Sequence, residues 1–294
     1  MRTQAATRRG TWMTALGAVG LGLIVVMGCA HREPTPGQST FEARRQLAHE
    51  LVARGDWQPA FAYVADLHRE QSADPDILVL RATIYRERGL LDEAEADLRE
   101  AIRVAPDLAS AHAGLGILCD MQRRPAEAEE QHRSAVKIEP RNAVYLNNLG
   151  FSLFLHGNVK EAISYYEQAA RLGPTVRRTR TNLGFAYAAR GDLHRAAREF
   201  EMGGTPVEAK INLGFAYERR GDLNNAYALY SEATLLDPKS QRAHQNLVHA
   251  AEVLGRPVPT SATSATSATS DTSEPSTTSD ITSTPTTSDP GAGK

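Results

Sequence analysis

Small and large apolar residues recur along this chain at a fixed interval. Aligning the sequence on an alanine that follows a Gly-Asp-like turn gives a column of small residues, most of them about 34 positions apart: Ala60, Ala94, Ala128, Ala162, Ala196 and Ala226. Twelve positions earlier stands a second small column: Ala48, Ala82, Gly116, Gly150, Gly184 and Gly214. Four positions after the alanine stand mostly large residues: Val64, Leu98, His132, Tyr166, Phe200 and Tyr230. Because small residues let helices approach and large ones fill the space between them, the pattern predicts stacked helix pairs.

Glycine and proline mark where the predicted helices end. Glycine recurs where the first helix of a pair must finish in a left-handed conformation, at Gly55, Gly89, Gly157, Gly191 and Gly221. Asp or Asn follows at positions suited to cap the second helix: Asp56, Asn158, Asp192 and Asp222. Prolines are expected to stop the second helix at Pro106, Pro140, Pro174 and Pro238. The third pair departs from this pattern, because Arg123 takes the glycine position and Pro125 suits the start of its second helix.

The last part of the repeated region differs from the rest. The fifth unit is about four residues shorter than the others, and its second helix runs into Gly203-Gly204-Thr205-Pro206. We therefore expect that helix to end one turn early. Residues 241–256 carry apolar residues at helical spacing and are expected to cover the last unit as a capping helix.

The spacing and the column composition resemble the tetratricopeptide (TPR) repeat family over residues 41–240. The resemblance implies an all-α fold, a right-handed superhelical TPR solenoid of about six helix-turn-helix repeats with a C-terminal capping helix. The repeats implied are residues 41–74, 75–108, 109–142, 143–176, 177–206 and 207–240.

The beginning of the chain is predicted to be an export signal. Arg2, Arg8 and Arg9 precede an uncharged, strongly apolar run that ends at Met27. A charged start followed by a short apolar region indicates a secretory signal. The run of about 16 residues is short for a membrane-spanning helix, which needs roughly 20.

The end of this signal, Val26-Met27-Gly28-Cys29, resembles the bacterial lipobox. The resemblance implies a signal peptide over residues 1–28 and Cys29 as the first mature residue, bearing diacylglycerol and an N-acyl chain such as palmitate. Residues 29–40 would form a lipidated linker. Ala30 is not the Asp that would resemble inner-membrane retention, which favours the outer membrane, facing the periplasm, in a Gram-negative source. A plain signal peptide, or a signal anchor with a coincidental cysteine, is the alternative.

The tail, residues 257–294, is dominated by Ser and Thr with scattered prolines. Such a segment has too little apolar surface to offset its ordering entropy, so we expect disorder. It is interpreted either as a solvated spacer or as an O-glycosylated or cell-wall-associated stalk.

Composition and motifs argue against catalysis. The formal net charge of −2 gives no reason to expect nucleic acid as a partner. The nine histidines are scattered without a metal-ligand motif, and His132 and Cys119 fall in columns of buried residues. Gly203-Gly204-Thr205 lacks the context of a phosphate-binding loop. We therefore predict no enzyme, no metal, no cofactor beyond the lipid on Cys29, and no small-molecule substrate.

The concave face of the predicted solenoid is the candidate binding surface, because the motif Asn-Leu-Gly-Phe recurs there three times. Its Asn and Phe members border the groove, so the Phe rings are expected to receive an apolar strip of a partner protein and the amides to bond its backbone. Charged neighbours are expected to add specificity. The alternative is that the rings only fill space between repeats. The candidate groove residues are Asn148, Phe151, Arg178, Asn182, Phe185, Asn212, Phe215, Glu218 and Arg219, with Glu208 nearby.

The run from Asn182 to Tyr217, with a shortened repeat, Gly-Gly-Thr-Pro and a renewed Asn-Leu-Gly motif, is similar to TadD-like lipoproteins of the tight-adherence (Tad/Flp) pilus system. The resemblance rests mainly on residues 143–240. It implies an outer-membrane lipoprotein that helps to localise or assemble the pilus secretion machinery, with the secretin or other pilus components as partners. The alternative is a structural envelope lipoprotein whose tail tethers cell-wall, division or polysaccharide-export components. A third interpretation is a non-catalytic specificity subunit of an envelope hydrolase.

Overall fold

The computed structural model describes residues 36–173 and 177–259, and these residues form thirteen α-helices and no strand. The predicted signal peptide, Cys29, Pro174 and the tail from residue 260 onward lie outside the described residues. Contacts divide the chain into residues 1–43 and 44–294, and the described part of the first unit is the start of the first helix.

The helices follow one another as short antiparallel pairs. Their bounds are α1 Pro36–Arg54, α2 Trp57–Glu70, α3 Pro75–Glu87, α4 Leu91–Val104, α5 Ala109–Met121, α6 Pro125–Ile138, α7 Ala143–Leu155, α8 Val159–Leu172, α9 Arg177–Arg190, α10 Leu193–Gly203, α11 Pro206–Arg219, α12 Leu223–Leu236 and α13 Gln241–Leu254. The all-α solenoid predicted from the repeated columns is confirmed.

The stack is curved because its two sets of helices are spaced differently. From α3 to α13, each odd-numbered helix contacts the next odd-numbered helix, as α7 contacts α9 and α9 contacts α11. The even-numbered helices contact the odd-numbered helices beside them but not each other in the described part of the chain. The odd-numbered helices therefore line the inner, concave face, as the TPR resemblance implies.

The predicted helix ends agree with the structure at the glycines and the prolines. Gly191 and Gly221 have φ of 96° and 82°, in the left-handed region that glycine favours. Arg123, which replaces glycine in the third pair, has a φ of 57°. α4 and α6 end at Val104 and Ile138, each two residues before a proline. At Pro106 and Pro140 the second helices thus end as predicted.

The predicted side-chain caps of the second helices were right for two of the four residues. Asp192 and Asp222 accept hydrogen bonds from main-chain N–H groups of the helices that follow them. The side chains of Asp56 and Asn158 make no such bond, so the prediction was wrong for these two residues. The sequence analysis also missed caps on the inner helices, such as Asn142 at the start of α7.

The shortened fifth pair ends at a tight contact with the helix before it. α10 ends at Gly203, after 11 residues instead of the 14 of α8 or α12, as the sequence predicts. Gly203 is buried, and a Cβ there would lie 2.7 Å from the Cβ of Arg180. Thr205 then starts α11 with a capping box, in which its side chain accepts from the N–H of Glu208 and the Glu208 carboxylate accepts from the N–H of Thr205.

Gly184→Ala is expected to lower the free energy of unfolding by about 1–3 kcal/mol. The added Cβ would lie 2.5 Å from Cε1 of Phe200, a fully buried ring that cannot withdraw without moving its neighbours. Urea unfolding followed by far-UV circular dichroism measures the change.

Gly114→Ala is the matched control, because the nearest atom to its added Cβ is Cδ2 of Leu98, the end of a flexible side chain. We expect this variant to be neutral or up to about 1 kcal/mol more stable, since alanine is the better helix residue. Equal losses in the two variants would contradict the close-packing argument.

Candidate protein-binding groove

Three repeated phenylalanines come together on the inner face of α7, α9 and α11. Phe151, Phe185 and Phe215 line one open cavity of about 780 Å³, which we call the apolar chamber. Its remaining wall residues are Phe154, Tyr166, Asn182, Ala188, Ala189, Ala216, Arg219 and Arg220. The volume is in the range of pockets that bind ligands, and the lining is mostly apolar.

The three phenylalanine rings differ in how much of their surface is buried within the protein. Phe185 is partly buried and meets two other rings edge-on, Phe200 with centroids 4.8 Å apart and Phe215 at 6.0 Å. Phe151 and Phe215 leave 46% and 40% of their surface exposed. Phe185 therefore fills space between repeats, which is the alternative that the sequence analysis left open. Phe151 and Phe215 instead present apolar surface that no part of the described chain covers.

Two asparagines of the motif form hydrogen bonds between neighbouring repeats. Nδ2 of Asn182 donates to Oδ1 of Asn147 at 3.1 Å, which joins α9 to α7. Asn212 is buried, and its Oδ1 accepts from Arg242 of α13 at 3.2 Å. Asn148 is half-buried beside Phe151 in a smaller cavity of about 190 Å³. Asn182 and Asn212 thus hold neighbouring inner helices in register.

Two of the predicted charged residues are also engaged within the fold. The Glu218 carboxylate accepts from the Tyr230 hydroxyl at 2.7 Å and lies 3.5 Å from Nε2 of His249. Glu208 caps α11 and pairs with Arg177 at 2.5 Å. The Thr205 main-chain N–H and the Arg177 guanidinium lower the pKa of Glu208 below its usual value.

The arginines of the groove are less engaged. Arg178 lies in a second cavity of about 460 Å³, which we call the basic cleft and which shares Asn182 and Phe185 with the apolar chamber. Chamber and cleft together form the groove. Arg178, Arg219 and Arg220 make no ion pair with any described residue. The basic residues lining the groove are Arg177, Arg178, Arg219, Arg220 and Arg242, against one acidic residue, Glu208.

The residues considered for chemistry are buried. Burial raises the pKa of the Cys119 thiol to about 11, so the thiolate is scarce at neutral pH. His132 is 1% exposed and lies 3.1 Å from Asp120, as a packed side chain between α5 and α6. The described residues contain no cluster of three or more acidic, His or Cys side chains placed to hold a metal ion. Nor does any helix in the described ranges have the length and apolar character needed to cross a membrane.

Comparison with known families agrees with the repeated columns. Tetratricopeptide repeat models match residues 75–140, 143–176 and 207–240. No curated protein sequence matches the chain. The matched ranges leave out the first helix pair and the shortened fifth pair.

Solved structures share the fold. The crystal structure of PilW, described as a widely conserved type IV pilus biogenesis factor, is 21% identical with a TM-score of 0.61, over 71% of this chain and 98% of that one. PilF of Pseudomonas aeruginosa is 16% identical with a TM-score of 0.57, over 72% and 98%. A TPR protein from Parabacteroides merdae is 15% identical with a TM-score of 0.52, over 74% and 86%. The described helices thus form a TPR superhelix.

Proposed function

We propose that this TPR-repeat chain is a scaffold that holds a segment of another protein in the groove on its concave face. The observation that carries the proposal is the exposure of Phe151 and Phe215 at 46% and 40% in a chamber of about 780 Å³. Large apolar side chains gathered in one concave site mark binding surfaces, because leaving them in water is unfavourable. TPR repeats serve as protein-interaction modules, which fits a protein partner.

More specifically, we propose that the chain is an envelope lipoprotein that assists assembly or localisation of a pilus secretion apparatus, in a Tad/Flp-type system. It is supported by the lipobox-like residues before Cys29 and by the similarity of residues 143–240 to TadD-like proteins. PilW, which shares the fold, is described as a type IV pilus biogenesis factor. Secretin or other pilus components are the partners we propose, with the lipid on Cys29 as the membrane anchor.

The Ser/Thr-rich tail favours a second candidate function, a structural lipoprotein that tethers cell-wall, division or polysaccharide-export components. Deleting residues 257–294 distinguishes the two, because the scaffold proposal expects retained activity and the tether proposal expects its loss. The groove itself would be intact in the deleted chain, since its lining ends at Arg242.

Phe151→Ser together with Phe215→Ser is expected to reduce partner capture at least about tenfold, because buried aromatic anchors dominate binding energy. Phe185 is left in place because it packs on Phe200. The test cross-links the full chain in intact cells and quantifies pilus components that co-purify from detergent-solubilised membranes.

The matched control is Leu235→Ser with Leu236→Ser, which removes two still more exposed apolar side chains, at 58% and 54%, from α12. Its capture is expected to equal that of the unmodified chain. Capture that survives in the folded phenylalanine variant would refute the groove proposal. Recovery of division, polysaccharide-export or wall enzymes in place of pilus components would discard the pilus assignment.

A further inference from the structure

A tyrosine in the wall of the apolar chamber lacks a hydrogen-bond partner. Tyr166 of α8 is fully buried, and its hydroxyl bonds to no described residue. Burial raises the pKa of this hydroxyl above its usual value, so it stays protonated and remains a donor. A buried donor without an acceptor is unfavourable, because it has given up water without replacement.

Two other repeats place an acid within hydrogen-bond distance of the corresponding residue, twelve positions before it. Tyr230 donates to Glu218 at 2.7 Å, and Nε2 of His132 lies 3.1 Å from Asp120, although its Nδ1 has no partner among the described residues. In the fourth repeat, the position twelve residues before Tyr166 holds Phe154, which also lines the chamber. The fold thus supplies an acceptor in two repeats, and in the repeat that borders the groove it places an apolar ring there.

The groove is basic although the whole chain is slightly acidic. Arg219 and Arg220 line the chamber with Tyr166, and Arg178 continues the positive charge into the basic cleft. The formal net charge of the chain is −2, so this positive region is local. Arg178, Arg219 and Arg220 are exposed and without an acidic partner among the described residues, so they favour a partner that brings negative charge.

We propose that the groove binds an acidic, amphipathic segment of the partner protein, in which a bulky apolar side chain stands beside Asp or Glu. The apolar side chain enters the chamber between Phe151 and Phe215, and the carboxylates pair with Arg219 and Arg220. An oxygen of the segment accepts the hydrogen bond from Tyr166. Because this hydroxyl is shielded from solvent, side chains of the wall must shift as the acceptor arrives. The inference rests on the proposed function and specifies the chemistry of the segment.

The charge preference is tested with two fluorescein-labelled peptides added to the full chain in detergent. One alternates Leu and Glu, and the other replaces each Glu by Lys. Fluorescence anisotropy at low salt is expected to show at least about tenfold tighter binding of the Glu peptide, and the preference should shrink as salt screens it. Arg219→Glu with Arg220→Glu should abolish or reverse the preference.

The charge-matched control is Arg141→Glu with Arg198→Glu, since both arginines are exposed and neither lines the groove. This control is expected to keep the preference. Equal affinity for the two peptides would overturn the proposal that the bound segment is acidic. It would leave the proposal that the groove binds a protein segment. Binding of neither peptide, by a chain that still captures its pilus partner, would likewise overturn this inference and not the proposed function.

The hydrogen bond is tested by comparing two tyrosines of the same column. Tyr166→Phe is expected to weaken Glu-peptide binding about three- to tenfold while the unfolding midpoint stays the same or rises, because the unsatisfied donor is gone. Tyr230→Phe removes a satisfied hydroxyl, so it is expected to lower the midpoint and leave affinity unchanged. Unchanged affinity in Tyr166→Phe would overturn the role of its hydroxyl.

Discussion

Asp97→Ala is expected to lower the free energy of unfolding by about 3 kcal/mol, because it leaves a partly buried guanidinium without its counter-charge. Arg81 of α3 donates two hydrogen bonds to Asp97 of α4, from Nε to Oδ2 at 2.7 Å and from Nη2 to Oδ1 at 2.6 Å. The two side chains are only 19% and 8% exposed. Urea unfolding of the full chain in detergent measures the loss.

A control lies one turn further along the same helix. Glu100 pairs with Arg103 at 2.6 Å, but these side chains are 40% and 71% exposed, so Glu100→Ala should lower the stability far less than Asp97→Ala. Replacing both buried partners, with Arg81→Met and Asp97→Leu, is expected to restore most of the stability, since no unpaired charge remains. If Asp97→Ala and Glu100→Ala unfolded at the same urea concentration, burial would not be the deciding factor.

Cys29→Ser is expected to abolish incorporation of labelled palmitate and to leave the chain as a larger precursor that keeps residues 1–28. The lipid is proposed as the anchor of the processed chain because two or more acyl chains anchor stably where one does not. Removing the thiol removes the attachment point of diacylglycerol and blocks the processing that the lipobox implies. Incorporation of labelled palmitate and the size of the chain on a denaturing gel measure the effect.

Cys119→Ala is the matched control, because Cys119 is the other cysteine of the chain and is buried between helices. It is expected to retain both the label and the processed size. A Cys29→Ser chain of the same size as the unmodified protein, or an unmodified chain without label, would contradict the lipoprotein proposal.

Helix positions followed from the sequence because local chemistry sets them. Gly191 must adopt a positive φ to end α9, and Pro125 suits the first turn of α6, so both act within a few residues of their own position. The early end of α10 at Gly203 followed from the shortened interval between repeats. The side-chain caps were less predictable, because Asn158 and Asp192 have the same sequence context and only Asp192 forms the bond.

The roles of the groove residues followed less well, because they depend on contacts with other helices, in the same repeat or in the next one. The sequence predicts that Glu218 adds polar specificity in the groove, yet its carboxylate accepts from the Tyr230 hydroxyl of α12. Asn182 was expected to bond the backbone of a partner, yet its amide donates to Asn147 of α7. Tyr166 belonged to the column of large core residues, and nothing in its local sequence marked its hydroxyl as unsatisfied.

The sequence by itself determined the repeat, the helix pairs and the recurrence of Phe151, Phe185 and Phe215 on one face, because backbone conformation and periodic burial are set by nearby residues. Only the tertiary structure decided which ring packs and which stays exposed, which arginines lack an acid, and which tyrosine lacks an acceptor. The physical reason is that hydrogen bonds, ion pairs and cavities form between helices whose spacing depends on every side chain packed between them.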